Sequence, residues 1–225
     1  MERKLFVGVD EAGRGSLVGE LVVVAVAVPE ERIEELRRIG VKDSKELTQK
    51  RRGELYEALK YLPFSAEPIT PAEIDRHNIN RLEERAILRA LLSLYRRLGE
   101  KLLDSRIVVD KFGSPRRLEE ELRGRGFRGE LLITEGADEN YVEVSAASII
   151  AKHLRDARLR VLSSLYGVKG SGYPHDRETI EWLRRAIQAG ERPPIVRYSW
   201  STLASLGIEI VRKGKSSHKT LDEFM

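Results

Sequence analysis

A chain of 225 residues with 40 Lys and Arg against 36 Asp and Glu carries a formal net charge of +4. Its 41% hydrophobic content suffices for one compact core and excludes a wholly disordered chain. The absence of cysteine excludes disulfides, thiolate metal sites and cysteine catalysis.

The first apolar run, Leu5 to Val9, is interrupted by Gly8 and ends at Asp10. Leu21 to Val28 is valine-rich, ends at Pro29 and predicts a buried strand. It is also the longest apolar run, far short of the roughly 20 residues of a membrane span. The start of the chain does not read as a secretory signal, so a cytoplasmic location without membrane contact is expected. Gly13, Gly15 and Gly19 lie between the two runs, which predicts two strands joined by a glycine-rich loop. Ile33, Leu36 and Ile39 predict a short helix that Gly40 ends, and Leu47 to Leu59 a second one. Thr70, Pro71 and Glu73 form a helix-start signature. Asn80 with Glu83 repeats that pattern, followed by Ile87, Ala90, Leu91, Leu94, Leu98 and Leu102 at core spacing.

Ile107 to Val109 predicts a strand ending at Asp110. Ser114-Pro115 opens a helix closed by Gly124, and Leu131 to Thr134 is a short strand. A long helix after Asp138 carries Val142, Ala146, Ile150, Leu154, Ala157 and Val161 on one stripe. Asp176 caps another helix. The alternation predicts an α/β domain with a mixed sheet. The expected division is a catalytic domain over 1–211 and a basic linker with a terminal motif over 212–225.

The acids are the informative feature. Asp10 and Glu11 directly follow the first strand, Asp110 follows another, and Asp138 stands between a strand and the long helix. Sites in open α/β sheets form at the carboxyl ends of strands. Carboxylates gathered there repel one another unless a cation neutralises them. Four of them match the charge of about two Mg²⁺ ions. Hard oxygen donors suit Mg²⁺ or Mn²⁺ rather than zinc. Two such ions activate water and stabilise a leaving oxygen in phosphodiester hydrolysis. Taken singly, an acid at a strand end more often caps a helix or faces water. Asp10-Glu11 followed at once by Ala-Gly-Arg-Gly is harder to dismiss, because glycines admit close backbone approach and Arg14 suits phosphate.

Several segments together resemble type 2 ribonucleases H, closest in form to archaeal ribonuclease HII. They are Asp10-Glu11-Ala12-Gly13-Arg14-Gly15, Lys42 to Leu47, Val109-Asp110, Ala137-Asp138, Val144 to Lys152 with Arg155-Asp156, and Gly170 to Pro174. They stand in the family's order over nearly the whole chain. The resemblance implies an RNase H-like fold, with a mixed central sheet flanked by helices and a C-terminal helical region. It implies an endonuclease that cuts the RNA strand of RNA–DNA hybrids. It also implies cutting on the 5′ side of single ribonucleotides embedded in duplex DNA, leaving 5′-phosphate and 3′-hydroxyl ends. Such an enzyme removes misincorporated ribonucleotides and primers. By the same resemblance, Asp10, Glu11, Asp110 and Asp138 are the catalytic acids holding Mg²⁺ or Mn²⁺, two ions per site. Gly13, Arg14 and Gly15 read the ribose 2′-hydroxyl, the group that separates RNA from DNA. Tyr173 packs on the sugar at the junction, and Lys45 contacts phosphate. Alone, Tyr173 would read as a core tyrosine and Lys45 as a solvated lysine. Ser145 and Ser148 read as small residues for helix packing.

Four positions depart from the family pattern. Ser16 replaces a frequent proline, with an expected effect on loop stiffness only. Glu135-Gly136 replaces His-Lys beside the fourth acid, with an expected change in metal affinity. Ser201 follows Trp200 where lysine is usual, removing one phosphate contact. In the tail, His218, Leu221, Phe224 and Met225 follow the spacing of a sliding-clamp-binding peptide, with His218 and Met225 as departures. The expected partners are hybrid or ribonucleotide-containing duplexes and the replication clamp, with the chain acting as a monomer. The competing readings are a non-catalytic hybrid binder of the same fold and another Mg²⁺ phosphotransferase. No phosphate loop of the P-loop type is present, and the four His show no paired metal-ligand spacing.

Overall fold

The structure, a computed structural model, describes residues 4–42, 47–111 and 116–210. The expected hairpin forms. β1 (Leu5–Ala12) and β2 (Leu21–Pro29) pair antiparallel, with Asp10 opposite Val24. Two helices follow, α1 (Glu30–Arg38) and α2 (Gln49–Leu59), the latter capped by the Thr48 side chain. β3 (Phe64–Ile69) then pairs with β2. This strand was not foreseen, since Glu67 and Pro68 depress the strand signal. At the edge of the sheet, however, Pro68 leaves no ladder partner unsatisfied on its open side.

α3 (Pro71–Arg76) begins with the expected capping box of Thr70 and Glu73. α4 (Ile79–Leu98) is capped two residues before the expected Asn80. Its cap is Asn78, whose side chain accepts from the Asn80 and Arg81 N–H groups. A 3₁₀ turn, Gly99–Leu102, leads to β4 (Arg106–Asp110), α5 (Arg116–Gly124), β5 (Glu130–Thr134) and the short α6 (Ala137–Asn140). α7 (Val142–Tyr166), α8 (Arg177–Gln188) and α9 (Ser201–Ser205) complete the described chain. Among the described residues no helix is long and apolar enough to cross a membrane. Residues 212–225, the expected linker and tail, lie outside the described residues.

The sheet order is β3-β2-β1-β4-β5, antiparallel on one side of β1 and parallel on the other. This is the mixed sheet of an RNase H-like α/β fold. β2 explains the layering. Its odd residues, Leu21 to Ala27, pack with Val7 and Val9 against α4 and α5. Its even residues, Val22 to Val28, pack against α1, α2 and α7. A strand covered on both faces is apolar throughout, as its sequence is. The long-helix stripe is only partly buried: Val142, Ala146 and Ile150 are covered, whereas Val161 is 47% exposed. At about 1.5 Å per residue the 25-residue helix outruns the strands it packs on. Around its far half, Leu162 joins Leu17, Val18, Trp182, Leu183, Val196 and Leu203 in a third cluster. That cluster fastens the C-terminal helices to the glycine-rich loop.

Candidate active site

Strand pairing assembles the acids. In the parallel β1–β4 register Val9 lies opposite Val109, so Asp10 and Asp110 come level at the carboxyl ends of neighbouring strands. Asp10 lies on the α7 face of β1, like Gly8 and Ala12. It is buried, and one of its carboxylate oxygens accepts the Glu11 N–H at 2.7 Å. Burial, and then the neighbouring Glu11 charge, push its carboxyl well above the ordinary range; a hydrogen bond from Ser148 on α7 opposes the shift. Glu11 is also raised, by burial and by Asp110, with the Arg14 charge opposing.

Asp110 accepts the Ala137 N–H at 2.9 Å, which docks the start of α6 beside β4. The next residue, Asp138, is buried. The strand ends thus bring Asp10, Glu11 and Asp110 into mutual repulsion, with Asp138 following Asp110's bonded neighbour. Among the described residues no three Asp, Glu or His side chains converge closely enough to hold a metal ion as they stand. The donor chemistry nevertheless fits a hard divalent cation. All four groups are carboxylates, and burial raises the titration of Asp10 and Glu11, with neighbouring acids adding to it; a bound cation would favour their charged forms.

The glycine loop is held from three sides. Gly13 has φ +91°, and a Cβ there would lie 2.9 Å from the Glu20 carbonyl. Gly15 is exposed, with open space where its Cβ would be. The Arg14 side chain does not reach out for phosphate. It binds the buried Glu83 of α4 and donates to Asn80 Oδ1 at 2.6 Å. The residues read as a second helix-start signature are therefore the anchor of Arg14.

Ser16 does more than alter loop stiffness. It is fully buried, and its hydroxyl lies 2.7 Å from the Val18 carbonyl and 2.9 Å from that of Gly172, either of which it can donate to. It accepts from Arg155 Nη2 at 3.3 Å. The Gly172 carbonyl also accepts the Leu17 N–H at 2.8 Å. These bonds lock the loop to the segment carrying Tyr173, whose ring lies half-buried with the Arg155 guanidinium 4.5 Å from its centre. Tyr173 is thus neither a core tyrosine nor remote from the loop it was expected to assist.

Arg197, unremarkable in the sequence, is fully buried beneath the loop. It donates to the Gly19 carbonyl at 2.9 and 3.0 Å and to the Arg14 carbonyl at 2.8 Å, joining both ends of the turn. Asp75 fixes the same segment by accepting the Tyr198 and Ser199 N–H groups at 2.9 and 2.8 Å. The two helix serines also exceed their expected packing role: Ser148 bonds Asp10, and Ser145 bonds the Asp138 carbonyl. Glu135 is paired with Lys111 at 2.7 Å, which holds its carboxyl below the ordinary range and offsets its charge. Lys45 and the tail residues His218, Leu221, Phe224 and Met225 lie outside the described residues.

Comparison with known proteins shows the family to which the chain belongs. The family model for Ribonuclease HII matches residues 7–203. The chain is 47% identical to the Ribonuclease HII of Aeropyrum pernix over 98% of both chains. Against that of Pyrococcus horikoshii it is 39% identical, over 97% of this chain and 98% of the other. The solved ribonuclease H2 from P. horikoshii superposes with TM-score 0.73 at 38% identity, covering 90% and 96% of the two chains. The RNase HII solved in a PCNA complex from Archaeoglobus fulgidus gives 0.74 at 34% identity, covering 98% and 100%. Bst-RNase HIII in complex with Mn²⁺ gives 0.77 at 21% identity over 89% and 68%, a likeness of fold.

Proposed function

Because the chain belongs to the ribonuclease HII family and is therefore a ribonuclease H, we propose that it cuts RNA–DNA hybrids and single ribonucleotides embedded in duplex DNA. In the second substrate the cut falls on the 5′ side of the ribonucleotide, leaving 5′-phosphate and 3′-hydroxyl ends. The observation that carries this reading is the strand register that sets Asp10 and Asp110 level at neighbouring carboxyl ends, with Glu11 next to Asp10 and the buried Asp138 next to the Ala137 that Asp110 binds. It favours an enzyme over a bare hybrid binder, since clustered negative charge beside phosphate weakens binding and serves only to hold a cation.

In this account Asp10, Glu11, Asp110 and Asp138 hold Mg²⁺ or Mn²⁺, two ions per site. When bound, these supply activation of the attacking water and neutralisation of the leaving 3′-oxygen. The protein's own groups set the geometry. Ser148 orients the Asp10 carboxylate, and Asp110 fixes the start of α6 through Ala137. The backbone of Gly13, Arg14 and Gly15 reads the 2′-hydroxyl, Gly15 leaving open room for the ribose. Arg14 contributes its backbone while Glu83 and Asn80 tether its side chain. Tyr173, backed by Arg155, offers its ring face to the neighbouring sugar. Lys45 contacts a phosphate near the cut.

The test is a labelled DNA duplex holding one ribonucleotide, with products sized against an alkaline ladder. The reading expects one product ending just before the ribonucleotide, with a 3′-hydroxyl that a polymerase extends. A cut on the 3′ side, or an end that cannot be extended, contradicts it.

Tyr173→Ala is expected to lower kcat/KM on this duplex about tenfold or more, and Tyr173→Phe about threefold or less, because the apolar ring face dominates over the hydroxyl. Equal losses in both variants would assign the role to the hydroxyl instead.

The tail reading extends the same proposal. The A. fulgidus relative was solved in a PCNA complex, and Leu221 and Phe224 here provide aliphatic and aromatic anchors for such a clamp. Deleting residues 216–225 is expected to abolish calorimetric binding to the sliding clamp while cleavage of free duplex continues. Unchanged clamp affinity after deletion contradicts it.

A further inference from the structure

Beyond the acids, α7 presents a second polar stretch. About 12 Å further along the helix axis from Ser148 lies Asp156, and about 18 Å along it lies Arg160, at 1.5 Å rise per residue. Here α7 and α2 flank a cleft of about 460 Å³. From α2 come Lys50, Arg52 and Gly53; from α7 come His153, Asp156 and Arg160. The sign of charge is opposite to that at the strand ends: three cations face one acid. That acid is already engaged, since Asp156 accepts from Arg52 Nη2 at 2.9 Å. Lys50 and Arg160 are exposed and make no ion pair with another described residue. Arg52 Nε finds no acceptor among the described residues. His153 is fixed as a wall by stacking on Tyr56, ring centres 3.9 Å apart.

We propose that this cleft binds a backbone phosphate of the duplex remote from the cut. Its cations supply a point charge from Lys50 and a planar fork from Arg160, the two forms in which proteins hold phosphate. The span along α7 sets the reach. Phosphates advance about 3.4 Å per step along a strand, so for a duplex running along α7 a span of 12–18 Å from Ser148, the partner of Asp10, is about four to five steps. The proposal rests on the duplex-cutting reading above and adds to it a footprint and a salt dependence.

The experiment measures the affinity of the full chain for an uncleavable all-DNA duplex, by fluorescence anisotropy over a range of salt. Two variants are compared with the wild type. Lys50→Gln with Arg160→Gln removes the two cations that make no ion pair with a described residue. Gly53→Glu places a carboxylate in the cleft where open space surrounds the Cβ position, and it replaces a helical glycine with a better helix former. That substitution therefore reports on charge without endangering the fold. Both variants are expected to bind about tenfold more weakly at 0.1 M salt, and to lower the steepness of log affinity against log salt by about 1, one phosphate contact. On a duplex that holds one ribonucleotide, kept whole in EDTA and kept paired by hairpin loops at its ends, shortening each arm to three base pairs from the ribonucleotide is expected to bring the wild type down to the variants. Wild-type affinity and salt slope in both variants overturn the proposal. A wild type that binds with the full slope, loses it in the variants, yet never cuts a ribonucleotide-containing duplex overturns the function proposed above and leaves the phosphate cleft standing.

Discussion

Asp10→Asn is expected to lower the cleavage rate about 10³-fold or more while duplex affinity stays within about threefold. The size follows from the role. A cation at the reacting phosphate contributes several kcal/mol, and each 1.36 kcal/mol is tenfold in rate. Asp10 is buried, and it faces both Asp110 and the Ser148 hydroxyl. Loss of activity in this variant will not be loss of fold. The carboxyl of Asp10 titrates above its unfolded range, so its ionised form costs stability at neutral pH. That cost shrinks as the pH falls below the raised folded value and is gone below the unfolded one. Asparagine removes it at every pH. In EDTA at pH 7 the variant is therefore expected to melt no lower than the wild type, and the difference is expected to shrink in acid. A variant keeping more than about a tenth of the rate contradicts the role assigned to Asp10, and one that melts well below the wild type contradicts the electrostatic account.

Gly8→Ala is expected to be the most damaging small substitution in the core. A Cβ at Gly8 would stand 2.0 Å from the Glu143 carbonyl oxygen and 2.5 Å from the Val144 nitrogen. Both are backbone atoms of the first turn of α7, so no side chain can turn aside to make room. Either β1 or α7 must move, and overpacking of this kind costs about 3 kcal/mol. At this chain length that lowers the melting temperature by about 10 °C. The same displacement moves Ser148 relative to Asp10, so activity at permissive temperature is expected to fall as well. Melting within about 2 °C of the wild type would show that the approach of helix and strand is looser than these atoms indicate.

Gly8 also illustrates what the sequence could tell. It read as an interruption in an apolar run. Its meaning, a helix crossing a strand with no room for a methyl group, exists only once α7 is placed. The valines of β2 were legible because a strand buried on both faces needs no polar side at all. β3 was not, because an edge strand tolerates proline and charge. The acids were legible as strand-end carboxylates, and the motifs around them carried the family. The bonds that hold the loop were not. Ser16, Arg155 and Arg197 join segments up to 183 residues apart, as between Arg197 and Arg14, and no local periodicity announces such a bond. Asn80 and Glu83 show the converse error. A spacing typical of a helix start belonged to side chains spent on Arg14, while Asn78 made the cap.

The central claim is that these strand-end acids form a metal-dependent site that cuts at a ribonucleotide. Its most direct test is single-turnover cleavage of a duplex holding one ribonucleotide, in Mg²⁺, in Mn²⁺ and in EDTA, beside the all-DNA duplex of the same sequence. The account predicts cutting only with metal, only in the ribonucleotide-containing strand and only on the 5′ side of that residue. Folded protein that binds the duplex and leaves it whole in both metals, or that cuts equally in EDTA, would contradict it.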